Sequence, residues 1–185
     1  MQMVNFNEEQ IIANGAVIYN QRPKIEAIAD SIWKNGFDLL LFTSSGGSQA
    51  MLDPFAFYIR HMSRLPVESV LSANLMTGDC NRIGPKTVAF LTSKSGNTAE
   101  TVEAARWLKA QGVRLFAAVG QADSTLESIC DDTVVYGAGR PQEMIFYLLI
   151  GRLLYHSGDF EAYPRFADEL QGLARALAEV RKQAD

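Results

Sequence analysis

Two short stretches rich in serine, threonine and glycine are the first candidates for chemistry. Residues 91–101, LTSKSGNTAET, bring Ser93, Ser95 and Thr98 together just before a helical pattern. Residues 42–50, FTSSGGSQA, have a similar composition and follow an earlier apolar run. Hydroxyl side chains donate hydrogen bonds without adding charge, and glycine lets the backbone approach a ligand closely. At the start of a helix, where backbone N–H groups are unpaired and the dipole is positive, such stretches are typical of anion-binding loops.

The elements around these stretches indicate the fold. Short apolar runs alternate with helical patterns, which is the arrangement of a parallel sheet with crossover helices. We therefore predict an α/β protein, a three-layer α/β/α sandwich with a five-stranded parallel sheet. The predicted strands are Asp38–Thr43, Val67–Leu71, Thr87–Thr92, Arg114–Val119 and Asp132–Tyr136. The predicted helices are Asn7–Asn20, Pro23–Asn35, Gly47–Ser63, Asn97–Gln111, Ser124–Cys130, Pro141–Ser157 and Phe160–Lys182. Pro54 is expected near the first turn of its helix or at a kink.

Both hydroxyl-rich stretches follow the carboxyl ends of predicted strands, where ligands bind in open α/β sheets. Two such loops on neighbouring strand ends favour an anion site that needs no lysine. The alternative is that hydroxyls such as those of Thr98 and Thr101 are ordinary helix N-caps. Neither GxGxxG nor GxxxxGK[ST] occurs in these loops, so the sequence supports neither a dinucleotide fingerprint nor a P-loop.

Composition narrows the classes of partner. The chain has 185 residues, a formal net charge of −4 and 48% hydrophobic residues, enough to bury the core of an ordinary domain. No nucleic-acid partner is expected, because that would need a basic face. No apolar run approaches the roughly 20 residues of a membrane span. The polar N-terminus, and the absence of CxxC spacing around Cys80 and Cys130, predict a cytoplasmic protein with two buried or idle thiols; the alternative is a disulfide.

Candidate acids and bases are few. The two histidines, His61 and His156, are expected on a helix surface and at a helix end rather than in catalysis. Glu143 begins an apolar helix just after the last predicted strand. It is a candidate catalytic base if it faces the cleft, and a first-turn helix stabiliser otherwise. Its neighbour Arg140 could contact a phosphate or a carboxylate. No metal-binding spacing occurs, and no metal or other cofactor is expected.

In chain order, residues 42–50 form the first loop and residues 91–101 the second loop. The second loop resembles the phosphate loop of the sugar isomerase (SIS) domain family, S-x-S-G-x-T-x-[DE]-T. SSGGSQA is similar to that family's C-G-[GT]-S loop, with Ser45 in place of the usual cysteine and Ser48 at the sugar-binding serine. The resemblance implies a flavodoxin-like fold and a sugar held through its phosphate. The fixed positions of the second loop are matched by Ser93, Ser95, Gly96, Thr98, Glu100 and Thr101. The predicted phosphosugar-binding residues are Ser45, Gly46, Gly47, Ser48, Ser93, Lys94, Ser95, Gly96, Asn97 and Thr98.

Within that family, residues 72–105 resemble the fructosamine-phosphate deglycases, which cleave 6-phosphates of fructose–amino acid conjugates. Those enzymes usually join two SIS halves in one chain. The second half supplies a catalytic glutamate and a histidine in a G-E-F-x-H-G-P motif, and neither is present here. Leu75 also replaces the glutamate that often follows S-A-N. The resemblance therefore implies the first half of such an enzyme, or a domain that completes its site by oligomerising.

These observations predict one SIS domain over residues 1–185. Helices at 7–35 precede the sheet, and the helix at about 160–182 would be a linker to a second half. The expected function is sugar-phosphate isomerisation or deglycation; the alternative is a non-catalytic phosphosugar sensor. A flavodoxin-like scaffold for a nucleotide or flavin is a third reading. The apolar stripe Met144–Leu154 predicts a homodimer.

Overall fold

The computed structural model describes residues 7–78, 80–137 and 141–183 of the chain. Its centre is a five-stranded sheet in the order β2-β1-β3-β4-β5, and every neighbouring pair of strands is parallel. The predicted α/β class and the five-stranded parallel sheet are therefore confirmed. The strands are β1 Leu39–Phe42, β2 Val67–Ser69, β3 Thr87–Ser93, β4 Arg114–Val119 and β5 Asp132–Val135.

Helices cover both faces of this sheet. The helices are α1 Glu8–Tyr19, α2 Arg22–Asn35, α3 Gly46–Met62, α4 Ser72–Leu75, α5 Ala99–Ala110, α6 Thr125–Ile129, α7 Glu143–His156, α8 Tyr163–Glu169 and α9 Leu173–Gln183. Buried side chains of α1, α2, α3, α7 and α8 form one apolar cluster with the sheet. Those of α4, α5 and α6 form a second cluster on the opposite face. The result is the predicted three-layer sandwich.

Alternation along the central strands explains why both faces need cover. In β3, Phe90 points into the first cluster, whereas Ala89 and Leu91 point into the second. All seven residues of this strand are buried. Successive side chains of a strand point to opposite faces, so a strand that is apolar throughout must lie between two helical layers. Within the sheet, β3 pairs with β1 on one side, so the ends of β1 and β3 lie side by side.

The C-terminal segment is the clearest correction to the predicted elements. It is not one helix over 160–182, because a 3₁₀ turn at Leu170–Gly172 separates α8 from α9. Pro164 lies in the first turn of α8, the position that tolerates a residue without an N–H group, so a helix beginning at Phe160 is excluded. The α9 helix packs back on α1, where Gly15 approaches Ala174. The short helix α4 was also not predicted.

Helices α3 and α7 correct two further expectations. Pro54 lies in the third turn of α3 and not near its first turn, so the carbonyl of Ala50 lacks its usual helical donor. In α7, the apolar residues of Met144–Leu154 are nearly all buried against α2, α3, α1 and α8 of the same chain. Most of this stripe is therefore part of the monomer's own core, so its apolar character alone is no evidence for the dimer, which stays a prediction.

Candidate functional site

The two hydroxyl-rich loops meet at the carboxyl edge of the sheet. β1 and β3 are neighbours in register, so the β1–α3 loop and the β3–α5 loop leave the sheet side by side. A hydrogen bond of 3.1 Å joins the hydroxyls of Ser45 and Thr101 across the two loops. Beneath it, the Ser44 hydroxyl donates to the carbonyl oxygen of Thr92. The two predicted loops thus form one continuous polar surface.

The start of α3 carries unused hydrogen-bond donors. Its N-cap, Ser45, makes no side-chain capping bond, because its hydroxyl is engaged with Thr101. Within the described chain, the N–H groups of Gly46 and Gly47 donate to no protein acceptor, and the Ser48 hydroxyl makes no protein hydrogen bond. Both glycines are exposed, and a Cβ at either would meet nothing within 4 Å. An anion could therefore approach this helix N-terminus directly.

The second loop is held open by its own hydroxyls. Ser93 Oγ accepts from the N–H of Gly96 at 3.0 Å and lies 2.9 Å from the hydroxyl oxygen of Thr98. Thr98 is the N-cap of α5 by position, yet its side chain makes no capping bond. Ser95 Oγ accepts from the N–H of Asn97 at 3.1 Å, which leaves its own hydroxyl hydrogen available. The Thr98 side chain is therefore not an ordinary N-cap of α5.

Asn97 links this loop to a third loop at the same edge. Its side-chain oxygen accepts from the N–H of Thr125 at 2.9 Å and from the Thr125 hydroxyl at 2.7 Å. Its amide nitrogen donates to the carbonyl of Ser95 at 3.1 Å. Gly96 has φ +66°, and a Cβ there would lie 2.2 Å from the Ser124 hydroxyl. The Asn97 side chain thus joins the two loops by hydrogen bonds, and few of its hydrogen-bonding positions remain for a ligand.

The predicted phosphosugar residues differ in accessibility. Ser93 and Gly96 are buried and serve as the frame of the loop, whereas Lys94 projects at its exposed rim. The half-buried members are Ser45, Ser48, Ser95 and Thr98, and the exposed ones are Gly46, Gly47, Lys94 and Asn97. A phosphate entering between the loops would first meet the hydroxyls of the half-buried group and the bare N–H groups of α3.

Glu143 begins α7 and is half-buried beside two tyrosines. Burial, together with the nearby Glu143 charge, raises the pKa of Tyr136 and of Tyr147. The Thr92 side chain, just before Ser93, partly opposes this rise in the pKa of Tyr136. Glu143 and Thr92 therefore both lie near Tyr136. Its role as catalytic base stays a prediction, and its neighbour Arg140 lies outside the described residues.

Neither histidine lies at this edge. His156 Nε2 is 2.6 Å from Asp30 Oδ1, and its ring stacks on Trp33 with centroids 5.7 Å apart. Trp33 in turn packs edge-on against Phe37, two residues before β1 begins. His156 is thus near the amino edge of the sheet. His61 is exposed in the last turn of α3 and stacks on Phe57.

The Asp30 carboxylate accepts from Arg152 as well as from His156. The Arg152 hydrogen bond is the main reason that the pKa of Asp30 is lowered, although partial burial opposes it. This charged cluster ties α2 to α7 on the far side of the molecule from the loops. The cluster gives His156 and Arg152 a structural role. Among the described residues, no histidine lies at the carboxyl edge of the sheet.

Sequence reasoning missed several residues that shape this edge. Gln49 accepts from the N–H of Ser44 at 2.6 Å, and Ser72 bonds Thr43 and the Ser44 carbonyl. No spacing rule identifies these contacts, because each joins a loop to a different element. Across the described ranges, no group of three potential metal-ligating side chains comes together, and no helix there is both long and apolar enough to cross a membrane.

Comparison with known proteins identifies the family of this chain. The model of the SIS domain family matches residues 38–153. The agropine synthesis conjugase of Rhizobium rhizogenes is 33% identical over 147 residues, covering 75% of this chain and 41% of that protein. Fructosamine deglycase FrlB of Bacillus subtilis is 28% identical over 172 residues, covering 88% of this chain and 52% of that protein.

A solved structure supports the same fold. A candidate phosphosugar isomerase from Bacillus subtilis superposes with a TM-score of 0.79 at 20% identity, covering 95% of this chain and 54% of that one. The chain therefore spans about half the length of the proteins it resembles. The matched residues 38–153 contain all five strands and both hydroxyl-rich loops. The chain belongs to the SIS domain family.

Proposed function

We propose that this domain binds a sugar phosphate, of the fructose 6-phosphate or fructosamine 6-phosphate type, at the carboxyl edge of its sheet. The observation that carries the proposal is the set of unused donors at the start of α3, next to the second loop, to which Ser45 is joined through Thr101. The Ser48, Ser95 and Thr98 hydroxyls and the Gly46 and Gly47 N–H groups would surround the phosphate oxygens. Neutral donors and a helix dipole stabilise a dianion without a dedicated cation.

The reaction we propose for the full site is isomerisation or deglycation of a ketose or ketosamine 6-phosphate. Such chemistry needs a base beside the carbonyl carbon and an acid at the ring or leaving oxygen. Glu143 is the candidate base in this chain, and the rest of the acid–base pair would come from a second SIS half or a second subunit. The likeness to fructosamine deglycase FrlB supports a substrate of the fructosamine type.

The Ser95→Ala variant tests the phosphate site. We expect glucose 6-phosphate and fructose 6-phosphate to raise the unfolding temperature of the wild-type protein, because each stabilises the folded state by RT ln(1 + [L]/Kd), where [L] is the free ligand concentration. Ser95→Ala removes a donor to a charged oxygen, worth about 1.5–3 kcal/mol, and should weaken binding roughly 10- to 100-fold. Ser128→Ala is the matched control, since that hydroxyl bonds only its own helix. Equal shifts in all three proteins would overturn the proposed site.

Turnover separates an enzyme from a sensor. The proposed activity predicts cleavage of a fructosamine 6-phosphate, or aldose–ketose interconversion, by the chain alone or with an added second SIS half. Tight binding without turnover under either condition would favour the non-catalytic alternative. Inorganic phosphate, tested beside the sugar phosphates, would reveal a site that holds only the anion.

We also propose that the domain, acting in the cytoplasm, pairs with a second copy of itself through α3. An apolar groove of about 220 Å³ lies between α3, α7 and α8, lined by side chains such as Phe55 and Phe146. Met62 also lines the groove and is 41% exposed, and Phe57 on the same helix is 52% exposed. Relatives about twice as long carry a further stretch of similar size, and a second copy would supply the equivalent surface.

Light scattering checks this pairing. We expect the mass of a dimer at micromolar concentration, because burying an apolar aromatic face stabilises association. Phe57→Glu should shift the protein to monomer without changing its far-ultraviolet circular dichroism, since that side chain is half-exposed. A monomeric wild-type protein would refute the dimer.

A further inference from the structure

Gln49 lies one residue after the predicted sugar-binding serine and is 4% exposed. Its side-chain oxygen accepts from the N–H of Ser44 at 2.6 Å. Its side-chain nitrogen donates to Asp53 Oδ1 at 2.7 Å and to Ser69 Oγ at 2.8 Å. The Ser69 hydroxyl donates to the same Asp53 oxygen at 2.6 Å. One amide thus connects α3, the end of β2 and the backbone of the first loop.

Ser44 is the residue on which this network acts. It is fully buried, so no water can replace a missing partner of its N–H group. Its carbonyl oxygen accepts from the N–H of Ser72 at 2.9 Å, and its hydroxyl donates to the Thr92 carbonyl. All of its polar groups are therefore engaged, and the N–H bond comes from Gln49 alone. A buried N–H left without an acceptor would cost about 1–3 kcal/mol.

This arrangement determines how the first loop leaves β1. Ser44 is held on three sides, and two residues later the chain turns at Gly46, whose φ is +54°. The bare N–H groups of Gly46 and Gly47 and the Ser48 hydroxyl lie at this turn and directly after it. The Asp53–Ser69 pair keeps the Gln49 amide in one orientation, because only its nitrogen can donate to Asp53 and only its oxygen can accept from Ser44.

We propose that Gln49 is the positioning residue of the first loop, holding the donors at the start of α3 in the arrangement that binds a sugar phosphate. The ligand named here rests on the proposed function, whereas the positioning does not. Without the Gln49 amide, the loop would fluctuate among several turns and the donors would no longer converge. A preorganised loop is already ordered in the folded protein. If Gln49 no longer holds the loop, the entropy of ordering it is lost on ligand binding instead, and the affinity falls.

The Gln49→Glu variant tests the proposal, with Asp53→Asn as its partner change. An ionised carboxylate at position 49 could still accept from Ser44, but it would lose both donor bonds and would face the Asp53 carboxylate. The double variant replaces that repulsion with an amide that donates to the new carboxylate. We expect Gln49→Glu to weaken glucose 6-phosphate binding about 10-fold and the double variant to recover to within about threefold of wild type.

A ligand-free measurement separates positioning from general destabilisation. ¹⁵N relaxation of Gly46 and Gly47 should report order parameters near 0.85 in the wild-type protein and below about 0.6 in Gln49→Glu, with recovery in the double variant. Unchanged order parameters, or a loss that the double variant does not recover, would overturn the proposal. A Gln49→Glu protein in which Gly46 and Gly47 lose order while the affinity for glucose 6-phosphate is unchanged would also overturn it. If wild type binds no glucose 6-phosphate, the proposed function fails while the order parameters still decide the role of Gln49.

Ser69→Ala keeps the test decisive if Gln49→Glu does not fold. It removes one of the two acceptors of the Gln49 amide from a half-buried position at the end of β2. The proposal predicts the same direction of change at Gly46 and Gly47 with a smaller size. Wild-type order parameters and affinity in this variant would contradict it.

Discussion

The Gly96→Ala variant should lose about 3 kcal/mol of unfolding free energy and all measurable sugar-phosphate binding. Gly96 has φ +66°, and the ideal Cβ would lie 2.2 Å from the hydroxyl oxygen and 2.3 Å from the Cβ of Ser124. The left-handed conformation alone costs an alanine about 1–2 kcal/mol. The collision adds to this, because Ser124 is itself only 4% exposed and cannot simply turn away.

The effect on binding follows from the hydrogen bonds of Gly96. Its N–H group donates to Ser93 Oγ, and its carbonyl oxygen accepts from the N–H of Leu126 at 3.0 Å. A shift that relieves the collision must break one of these bonds. The loop would then move away from the hydroxyls of Ser95 and Thr98, so the convergent donor set would be lost.

Two matched variants separate backbone strain from collision. Gly46→Ala has the strain alone, since φ is +54° there and a Cβ would meet nothing within 4 Å, so we expect a loss of about 1 kcal/mol. Adding Ser124→Gly to Gly96→Ala should recover the part due to the collision. Urea unfolding of the four proteins measures these differences. If the Gly96→Ala and Gly46→Ala proteins had equal unfolding free energies, the loop would have relieved the collision with Ser124 without losing stability.

The sequence was sufficient to predict the layers and the edge where the loops meet. Strands such as β3 are apolar on both faces, which only a doubly covered parallel sheet explains. Because parallel strands end at the same edge, Ser45 and Ser95 were expected at that edge, and the pairing of β1 with β3 makes their loops neighbours. These predictions depend on local periodicity and on topology, and neither requires knowledge of side-chain packing.

Contacts between distant segments could not be predicted in this way. Ser124 closes against Gly96, and Gln49 reaches Ser69, only because whole elements dock in a particular register. The division of the last helix follows from Pro164 and from the packing of α9 on α1. The apolar stripe of α7 indicated burial correctly, but the sequence did not show whether its partner was another subunit or the same chain.

Above pH 9 the domain should lose stability steeply, by about 4 kcal/mol at pH 11, because two acids, the half-buried Cys130 and the fully buried Tyr163, stay protonated only in the folded state. Burial, aided by the neighbouring Asp131 charge, raises the pKa of the Cys130 thiol from 9.0 to about 12. Burial also raises the pKa of Tyr163 well above 10, and its hydroxyl donates to Glu26 Oε1 at 2.8 Å and to the Leu148 carbonyl at 3.1 Å.

The sign follows from the unfolded chain. A group whose pKa is raised on folding contributes its full stability below its unfolded pKa, and that contribution falls as the unfolded form ionises. For Cys130 the loss begins near pH 9 and continues to about pH 12 at about 1.4 kcal/mol per pH unit. Tyr163 adds a similar slope above about pH 10, so both groups act together from there upwards.

Urea unfolding in reducing buffer between pH 8 and pH 11 measures these contributions. Cys130→Ala should remove about 3 kcal/mol of the loss at pH 11, and Tyr163→Phe about 1.4 kcal/mol, with the tyrosine effect absent below pH 9. At pH 8, Tyr163→Phe should still cost about 1 kcal/mol, because the Leu148 carbonyl loses its side-chain donor. If Cys130→Ala and wild type lost stability at the same rate between pH 9 and pH 10, the Cys130 thiol would have to be open to water, and its packing beside α5 and β5 would need revision.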